Sequence, residues 1–454
     1  MTLPSWSILP FITLLGCIAV LPLIRPAARH WERNRSKLVI SLALGLPVGL
    51  WVWFELDPHL VEHSMAEYGQ FIVLLASLFV VSGGIFLDGD LPATPRNNTI
   101  FLALGAVLAS FIGTTGAAML LIRPLLNTNA ERRNKTHTVV FAIFIVANCG
   151  GLLTPLGDPP LYVGLMRGVP FTWTFSLIGP WVLVNGLLLL TYYALDRRRY
   201  AAEAPQAIAS DNLTVSPLAL RGGLNCLWLA LIIASVAFLG TLPWLRAAVQ
   251  IGVAAASYFL TPKVIRFGRN EFSWRPIIEV AVLFLGIFLT MIPALALLQD
   301  EAHRLPLNEY TFFGLTGGLS AILDNTPTYL AFFGMGQALT VPGAVTVAGV
   351  PEIYLTAISL GAVTCGAVTY IGNGPNFMVK AVAEERGIEM PSFGGFIVWA
   401  VKYLIPILAA MVCLFISPLW PVRLAGGLLA SFLAARPVVS IVRDRRQALG
   451  LPAA

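Results

Sequence analysis

The stretch NCGGLLTPLGDPP, residues 148–160, decides how this chain folds. It follows an apolar run, 137–147, that has the composition of a helix entering a membrane. Prolines and glycines then interrupt the helix, and Asp158 places a carboxylate inside a hydrophobic segment. Irregular backbone at membrane depth is tolerated only where it lines a cavity that is buried in protein or filled with water. The stretch therefore predicts a broken transmembrane helix beside a polar site.

The composition of the whole chain is that of a polytopic membrane protein. Of its 454 residues, 57% are hydrophobic and 11% are charged, whereas soluble domains carry about 25% charged residues. The first apolar run lacks a basic segment before it and a small-residue cleavage site, so we interpret it as a span rather than a signal peptide. The net charge of +6 is attributed to basic loops on one side of a bilayer, not to nucleic-acid binding.

We predict an all-α polytopic membrane protein with eleven transmembrane helices and two re-entrant hairpins. Each hairpin region, 98–126 around GTTG and 309–337 around LDNTPT, holds two arms too short to cross a bilayer. With the N-terminus outside and the C-terminus cytoplasmic, the cytoplasmic loops contain 23 of the 29 Lys and Arg, as the positive-inside rule requires. The eleven spans are expected at 7–24, 37–55, 69–87, 137–165, 173–195, 223–242, 245–261, 276–298, 352–380, 396–417 and 419–437.

Similar segments recur in the two halves of the chain. SFIGTTGAAML (110–120) aligns with SAILDNTPTYL (320–330), and CGGLLTPLGDPPL (149–161) aligns with CGAVTYIGNGPNF (365–377). Equivalent elements cross the membrane in opposite senses, and inverted-topology repeats with paired broken helices are typical of secondary transporters. The expected parts are N-terminal scaffold spans (1–67), a first repeat (68–196, hairpin 98–126, broken helix 137–165), a cytoplasmic linker (197–222), a second repeat (223–418, hairpin 309–337, broken helix 352–380) and a last span with a basic tail (419–454).

The hairpin tips and helix breaks contain the candidate ligands. They offer two carboxylates, many hydroxyls and amides, and no Lys or Arg. This donor set suits a hard cation such as Na⁺ or Li⁺, and a carboxylate that holds H⁺ and Na⁺ in turn is the minimal chemistry of an antiporter. The ion-binding candidates are Asp324, Asp158, Asn325, Thr326, Thr114, Thr115, Thr154, Asn373 and Asn376, the two aspartates being the ligands of the transported cation. Gly157, Pro159, Gly372, Gly374, Pro375 and Pro327 are expected to shape the site.

Three segments resemble a known family: SAILDNTPTYL (320–330), GGLLTPLGDPPLYVG (150–164) and IGNGPNFMVKA (371–381). They are similar to the NhaD-type sodium/proton antiporters and their citrate transporter-like relatives in the ion transporter superfamily, over about residues 70–440. The resemblance implies a homodimer whose protomers each have a scaffold and a moving transport part, in the inner membrane of a prokaryote. It implies membrane lipid and small ions as partners and no cofactor. The second tip reads Asp324-Asn325-Thr326 where the anion symporters carry Ser-Asn-Thr, which favours a cation.

Several alternatives remain open on the sequence alone. The same fold could serve a sodium-coupled symporter of citrate or another carboxylate, because helix N-termini can hold a carboxylate. A metalloid efflux permease is kept open by Cys149 and Cys365, which occupy matching positions in the repeats. An intramembrane aspartyl hydrolase would need recognisable helical motifs around its aspartates, so we expect a transporter and not an enzyme. Asp324 could also act only as a helix cap, and Asp158 only as a turn former.

Overall fold

A computed structural model of the chain describes residues 3–24, 30–31 and 33–448. These residues are 77% helical with almost no sheet, which confirms the expected all-α polytopic membrane protein. Six of the described helices are long and apolar enough to cross a membrane: Asn34–Leu56, Pro58–Ser82, Phe171–Ala201, Arg275–Ala302, Phe393–Ile416 and Trp420–Asp444. Four more are apolar but shorter: Ser5–Val20, Thr136–Leu152, Leu224–Phe238 and Glu352–Val368. The remaining expected span, 245–261, coincides with the helix Pro243–Leu260.

The first half of the chain forms nine of the described α-helices and one two-stranded sheet. In chain order these are α1 (Leu9–Val20), α2 (Asn34–Trp51), α3 (Pro58–Ser82), β1 (Phe86–Asp90), α4 (Pro95–Ile112), α5 (Thr114–Thr128), α6 (Thr136–Ile145), α7 (Pro159–Met166), α8 (Ile178–Ala201), α9 (Pro205–Thr214) and β2 (Ser216–Arg221). Strands β1 and β2 pair antiparallel, with Phe86 opposite Arg221. The expected polar linker, 197–222, therefore includes the end of α8, a short helix and a strand.

The second half continues with α10 (Leu224–Phe238), α11 (Pro243–Leu260), α12 (Arg275–Ala302), α13 (Glu309–Ser320), α14 (Asn325–Ala338), β3 (Thr346–Val347), β4 (Val350–Pro351), α15 (Glu352–Cys365), α16 (Gly374–Glu385), α17 (Phe393–Trp399), α18 (Ile405–Met411) and α19 (Trp420–Ala448). Both predicted hairpin regions are pairs of helices joined by a short turn, α4–α5 and α13–α14. Both predicted breaks separate a helix from the next one through a single short 3₁₀ turn, Cys149–Leu152 and Gly366–Val368.

The described helices divide between two compact units, neither of which is continuous along the chain. The first consists of Met1–Ile85, Pro159–Phe171 and Gly222–Ala362, and the second of Phe86–Asp158, Thr172–Arg221 and Val363–Ala454. Each unit takes segments from both halves of the sequence, so the compact units do not follow the proposed repeats one to one. The repeat boundaries remain a prediction from the sequence.

The first unit is built around α12, the long helix that α2, α3 and α14 pack against. Small residues allow the closest of these approaches, because a Cβ added at Gly286 would lie only 2.8 Å from the Cβ of Ser41. Opposite it, a Cβ at Gly45 would lie 3.1 Å from the Cα of Gly286. Close contact between glycine-bearing faces is a common way for membrane helices to associate, since lipid provides no hydrophobic driving force.

In the second unit, the open end of the hairpin α4–α5 is held by a buried polar network. Asn98 and Asn129 exchange side-chain hydrogen bonds of 2.8 and 2.9 Å. Asp196 of α8 accepts from Asn98 at 3.2 Å and forms ion pairs with Arg132 at 2.6 Å and His137 at 2.8 Å. Buried polar groups that satisfy one another in this way specify a single arrangement of the helices that carry them.

The tip of the same hairpin turns at Gly113, between α4 and α5. Its backbone has φ +80° and ψ 149°, a region that L-residues with a side chain rarely adopt. Glycine occupies this region without steric cost because it has no Cβ. This one residue therefore allows the chain to reverse at the point where the polar tip begins.

We expect Gly113→Ala to lower the free energy of unfolding by about 1–3 kcal/mol, the cost of a side chain in this backbone region. Gly186→Ala, in the interior of α8 where an added Cβ meets nothing within 4 Å, should be neutral or stabilising. Unfolding of both variants in detergent, followed by loss of tertiary absorbance or fluorescence, measures the difference. Equal stability of the two variants would show that the Gly113 conformation is not required.

Candidate functional site

The first hairpin tip and the first helix break meet in the second unit. The amide of Thr114 donates to the carbonyl of Gly157 at 2.8 Å. The Thr114 hydroxyl donates to Oδ1 of Asp158 at 3.0 Å. Asp158 is only 1% exposed, and α7 begins directly after it at Pro159. The predicted carboxylate is therefore buried at the junction of the tip and the break.

The second helix break reaches the same carboxylate through Asn373. Its Nδ2 lies 3.5 Å from Oδ1 of Asp158, a long contact, and donates to the carbonyl of Ala147 at 3.1 Å and to Oδ1 of Asn148 at 3.2 Å. Asn373 lies within one residue of the position that aligns with Asp158 in the repeats. The two breaks therefore bring their corresponding polar side chains together.

Asn148 and Asn376 join the two breaks more tightly. Asn148 donates through Nδ2 to Oδ1 of Asn376 at 2.7 Å and to the carbonyl of Ile143 at 2.8 Å. Asn376 donates to the carbonyls of Gly366 at 2.8 Å and Thr369 at 2.9 Å. The asparagines thus bind backbone carbonyls at the points where the helices stop, a requirement of broken helices in an apolar surrounding.

Thr154 and Ser110 connect the hairpin to the break. The Thr154 hydroxyl donates to the Ser110 carbonyl. The Ser110 hydroxyl donates to the carbonyl of Gly150 at 2.5 Å and accepts from the amide of Leu153 at 3.2 Å. In the first unit, Ser320 occupies the aligned position and its hydroxyl donates to the carbonyl of Ala362 at 2.7 Å. In both hairpins, therefore, a serine at the aligned position binds the backbone of a broken-helix segment.

Glycines permit the close approach of backbone segments within the break. A Cβ added at Gly157 would lie 2.0 Å from the carbonyl oxygen of Gly151. Pro159 and Pro375 stand in the first turn of α7 and α16, where a missing N–H leaves no helical bond unmade. Thr369 caps the second break, its hydroxyl accepting from the amides of Ile371 and Gly372, both at 3.2 Å. These local contacts explain why the breaks contain these residue types.

The second hairpin tip lies in the first unit and is organised by a helix cap. Oδ1 of Asp324 accepts from the amide of Thr326 at 3.0 Å, so Asp324 is the N-cap of α14. The Thr328 hydroxyl donates to the Asp324 carbonyl at 3.0 Å. Asp324 is half-buried, whereas Asn325, Thr326 and Pro327 are buried. Asp324 therefore has the helix-cap role that the sequence analysis left open, and the cap bond holds its carboxylate at the hairpin tip.

The structure places the predicted residues in two sets. Thr114, Thr154, Asp158, Asn373 and Asn376 belong to one hydrogen-bonded network in the second unit, with Thr115 half-buried beside Thr114. Asp324, Asn325 and Thr326 form the tip in the first unit. A single site built from both sets remains a prediction.

Two members of the network, Asn148 and Ser110, were missed by the sequence analysis. Asn148 is the first residue of the stretch that breaks the helix, and Ser110 is shared by the aligned segments SFIGTTGAAML and SAILDNTPTYL. The position of Asn148 in the break and the recurrence of Ser110 in the repeat were therefore visible in the sequence. Neither is charged, and an uncharged polar residue in a membrane segment does not by itself distinguish a ligand from a structural hydrogen bond.

The network around Asp158 is rich in neutral oxygen donors. In the described part of the chain, no group of three or more His, Cys, Asp or Glu side chains could hold a metal ion. A cation at Asp158 would be coordinated by one carboxylate together with hydroxyl, amide and backbone oxygens. Such a set of hard oxygen ligands fits a transported alkali cation better than a tightly held transition metal.

Comparison with known proteins agrees with this architecture. The family model described as "Putative citrate transport" matches residues 1–416. The chain belongs to this family. It is also similar to the inner membrane protein YbiR of Escherichia coli (strain K12), with 24% identity over 294 residues, which is 61% of this chain and 74% of that protein. The family places the chain among multi-pass secondary transporters of the ion transporter type, as the three motifs indicated.

We expect Asn148→Ala and Asn376→Ala each to destabilise the protein by about 1–3 kcal/mol, because each leaves a buried partner unsatisfied. A double-mutant cycle on unfolding in detergent should give a coupling energy of about 0.5–3 kcal/mol, as found for residues in one network. Additive effects would contradict a direct bond between the two helix breaks.

Proposed function

We propose that this protein exchanges Na⁺ or Li⁺ for H⁺, with Asp158 as the group that holds the two ions in turn. The observation that carries the proposal is the buried Asp158 carboxylate, which meets a hydroxyl and an amide where a hairpin tip joins two helix breaks. An ionisable residue in a membrane segment is costly and marks an ion or substrate pathway. Membership of a transporter family supports secondary transport in general.

The contacts of Asp158 support an exchange mechanism. The Thr114 hydroxyl donates to the carboxylate at 3.0 Å and keeps lone pairs that can coordinate a cation. The Asn373 amide lies at the long distance of 3.5 Å, so a cation can replace this weak contact at little cost. Protonation removes the negative charge that the cation needs. Na⁺ and H⁺ therefore compete for one group, which couples their movements.

Asp324 is proposed as the second carboxylate of the transport cycle. Its Oδ1 is engaged by the amide of Thr326 at the start of α14, a position where the helix dipole stabilises negative charge. Asp324 therefore accepts a backbone amide at the start of a helix, whereas Asp158 contacts the side chains of Thr114 and Asn373. We therefore propose Asp158 as the exchanging group and Asp324 as a carboxylate that acts at its own hairpin tip.

We expect Asp158→Asn to abolish exchange, because an amide neither ionises nor releases a proton. Asp324→Asn should lower the rate about tenfold, the effect of about 1.4 kcal/mol on the barrier, because the amide keeps the cap hydrogen bond to Thr326 but removes the negative charge. Asp300→Asn is the matched control, since Asp300 is exposed on α12. The measurement is dequenching of a weak-base dye by Na⁺, Li⁺ or K⁺ in everted vesicles, with protein amounts equalised.

Wild-type rates in Asp158→Asn, at wild-type protein level, would refute Asp158 as the exchanging group. Loss of activity in Asp300→Asn as well would show that charge removal acts nonspecifically. Full activity in Asp324→Asn alone would remove the second carboxylate from the mechanism and leave the first in place.

Competition between the ions also predicts a pH dependence. As pH falls, a larger fraction of Asp158 carries a proton, so the apparent KM for Na⁺ should rise while the maximal rate changes less. Thr114→Val should raise the apparent KM at every pH, because it removes one hydroxyl ligand, and Thr114→Ser should restore it. An apparent KM for Na⁺ that is independent of pH in the wild type would exclude competition at a single site.

A second candidate is sodium-coupled carboxylate transport, which the family description favours. Helices α5 and α16 begin at the polar network, at Thr114 and Gly374, and helix N-termini can bind carboxylate groups. This function requires sodium-dependent, saturable uptake of labelled citrate in proteoliposomes. Uptake that is lost in Asp158→Asn, with no cation response in the dye assay, would replace the exchange mechanism by symport.

The remaining cellular properties are also proposals. We propose a homodimer in the inner membrane of a prokaryote, with the C-terminus in the cytoplasm. The uneven distribution of Lys and Arg between the loops supports the orientation.

A further inference from the structure

A basic groove lies in the second unit, apart from the Asp158 network. It is formed by α8, by the helical segment Phe393–Ile416 and by α19, and it encloses about 660 Å³. Its walls are largely apolar, with Leu195, Ile407, Phe432 and Leu433 among the lining residues. Four cations also line it: Arg198, Lys402, Arg436 and Arg443. An elongated apolar groove with a cluster of positive charges is an amphipathic binding site.

The cations of this groove are not neutralised as a group. Arg198 pairs with Asp444 at 3.0 Å. Lys402 instead lies 5.0 Å from the ring centre of Tyr403, and Arg436 lies 5.7 Å from that of Phe432. Among the described residues, no carboxylate lies within ion-pair distance of Lys402 or Arg436. The groove therefore keeps excess positive charge for a ligand.

Two of these charges fall inside predicted spans. Lys402 falls in the predicted span 396–417 and Arg436 in the predicted span 419–437. Lys402 is six residues from the start of its span, and Arg436 is one residue from the end of its span. A basic residue inside a membrane span is costly unless it reaches the interface or meets an anion. Pro437 follows Arg436 inside α19 and lines the groove, and proline bends a helix by removing a backbone hydrogen bond.

The charges of the groove, its apolar walls and its side of the membrane identify the chemistry of the ligand that fits it. Only 6% of the hydrophobic window of α19 is buried, so the rest of the chain leaves most of this apolar helix uncovered. The positive-inside distribution assigns the charged end to the cytoplasmic leaflet. Basic pockets between transmembrane helices on this side bind the head groups of anionic lipids. A soluble anion would satisfy the charges but not the apolar walls, whereas a phospholipid satisfies both.

We propose that the groove is a binding site for an anionic phospholipid. Lys402, Arg436 and Arg443 bind the phosphate, and the acyl chains lie along Phe432 and Leu433. This site is separate from the proposed transport site, and it stands whether the protein transports a cation or a carboxylate.

The test is native mass spectrometry of the detergent-purified protein, titrated with cardiolipin, phosphatidylglycerol or phosphatidylcholine. The variant Lys402→Gln with Arg436→Gln is compared with Lys263→Gln with Arg35→Gln, which removes the same charge from exposed positions outside the groove. We expect the groove variant to bind anionic lipid about 30-fold more weakly, since each basic residue near anionic lipid contributes about 1 kcal/mol and 1.4 kcal/mol corresponds to tenfold. The control variant should bind as the wild type does, and phosphatidylcholine should bind weakly to all three.

Equal loss of cardiolipin and phosphatidylglycerol adducts in both double variants would overturn the proposal, as would equal binding of phosphatidylcholine by the wild type. Competition by sn-glycerol 3-phosphate at the lipid's own concentration would show that the ligand is a soluble phosphate. A dimer that dissociates only in the groove variant, with lipid binding unchanged, would assign the groove to a second copy of the chain. If the double variant does not purify as a single species, the single variants Lys402→Gln and Arg436→Gln should each weaken binding about fivefold.

Discussion

The structure depends on one constraint: a helix interrupted within an apolar surrounding must satisfy its freed backbone groups from nearby protein side chains. Four small polar residues do this in the second unit. Asn148 and Asn376 bind carbonyls at the ends of the interrupted helices and bond to each other. Ser110 and Thr154 connect the hairpin to the same backbone. Without these bonds, the freed backbone carbonyls would be buried without partners, which is costly.

The satisfied breaks create the setting for Asp158. Because the backbone bonds are already made by neutral side chains, the carboxylate can contact Thr114 and Asn373 without being required to hold the fold together. Ion-binding sites are commonly built in this way: a supporting set of hydrogen bonds orients the side chain that binds the ion. The exchange proposed for Asp158 requires that the fold does not depend on this carboxylate, because its charge changes during each cycle.

The hairpin links this site to the rest of the second unit at both of its ends. Its tip reverses at Gly113 and contacts the break through Thr114. Its open end is fixed by the ion pairs of Asp196 with Arg132 and His137. The two packed helices of the hairpin therefore join the Asp158 network to a buried ionic cluster. The basic groove of α19 lies in the same unit.

The sequence by itself determined the class of the protein and the location of its irregular segments. Apolar runs interrupted by Gly, Pro and Asp can be satisfied only as broken membrane helices, so NCGGLLTPLGDPP and LDNTPT marked the polar elements from composition alone. Aligned motifs also paired Ser110 with Ser320, although only the structure shows that both hydroxyls donate to backbone carbonyls. The tertiary structure decided which side chains meet. Asn148 bonds to Asn376 across 228 residues of sequence and Asn373 contacts Asp158 across 215, and no local pattern encodes such contacts. They follow from how the helices pack, which depends on the shape of every side chain between them.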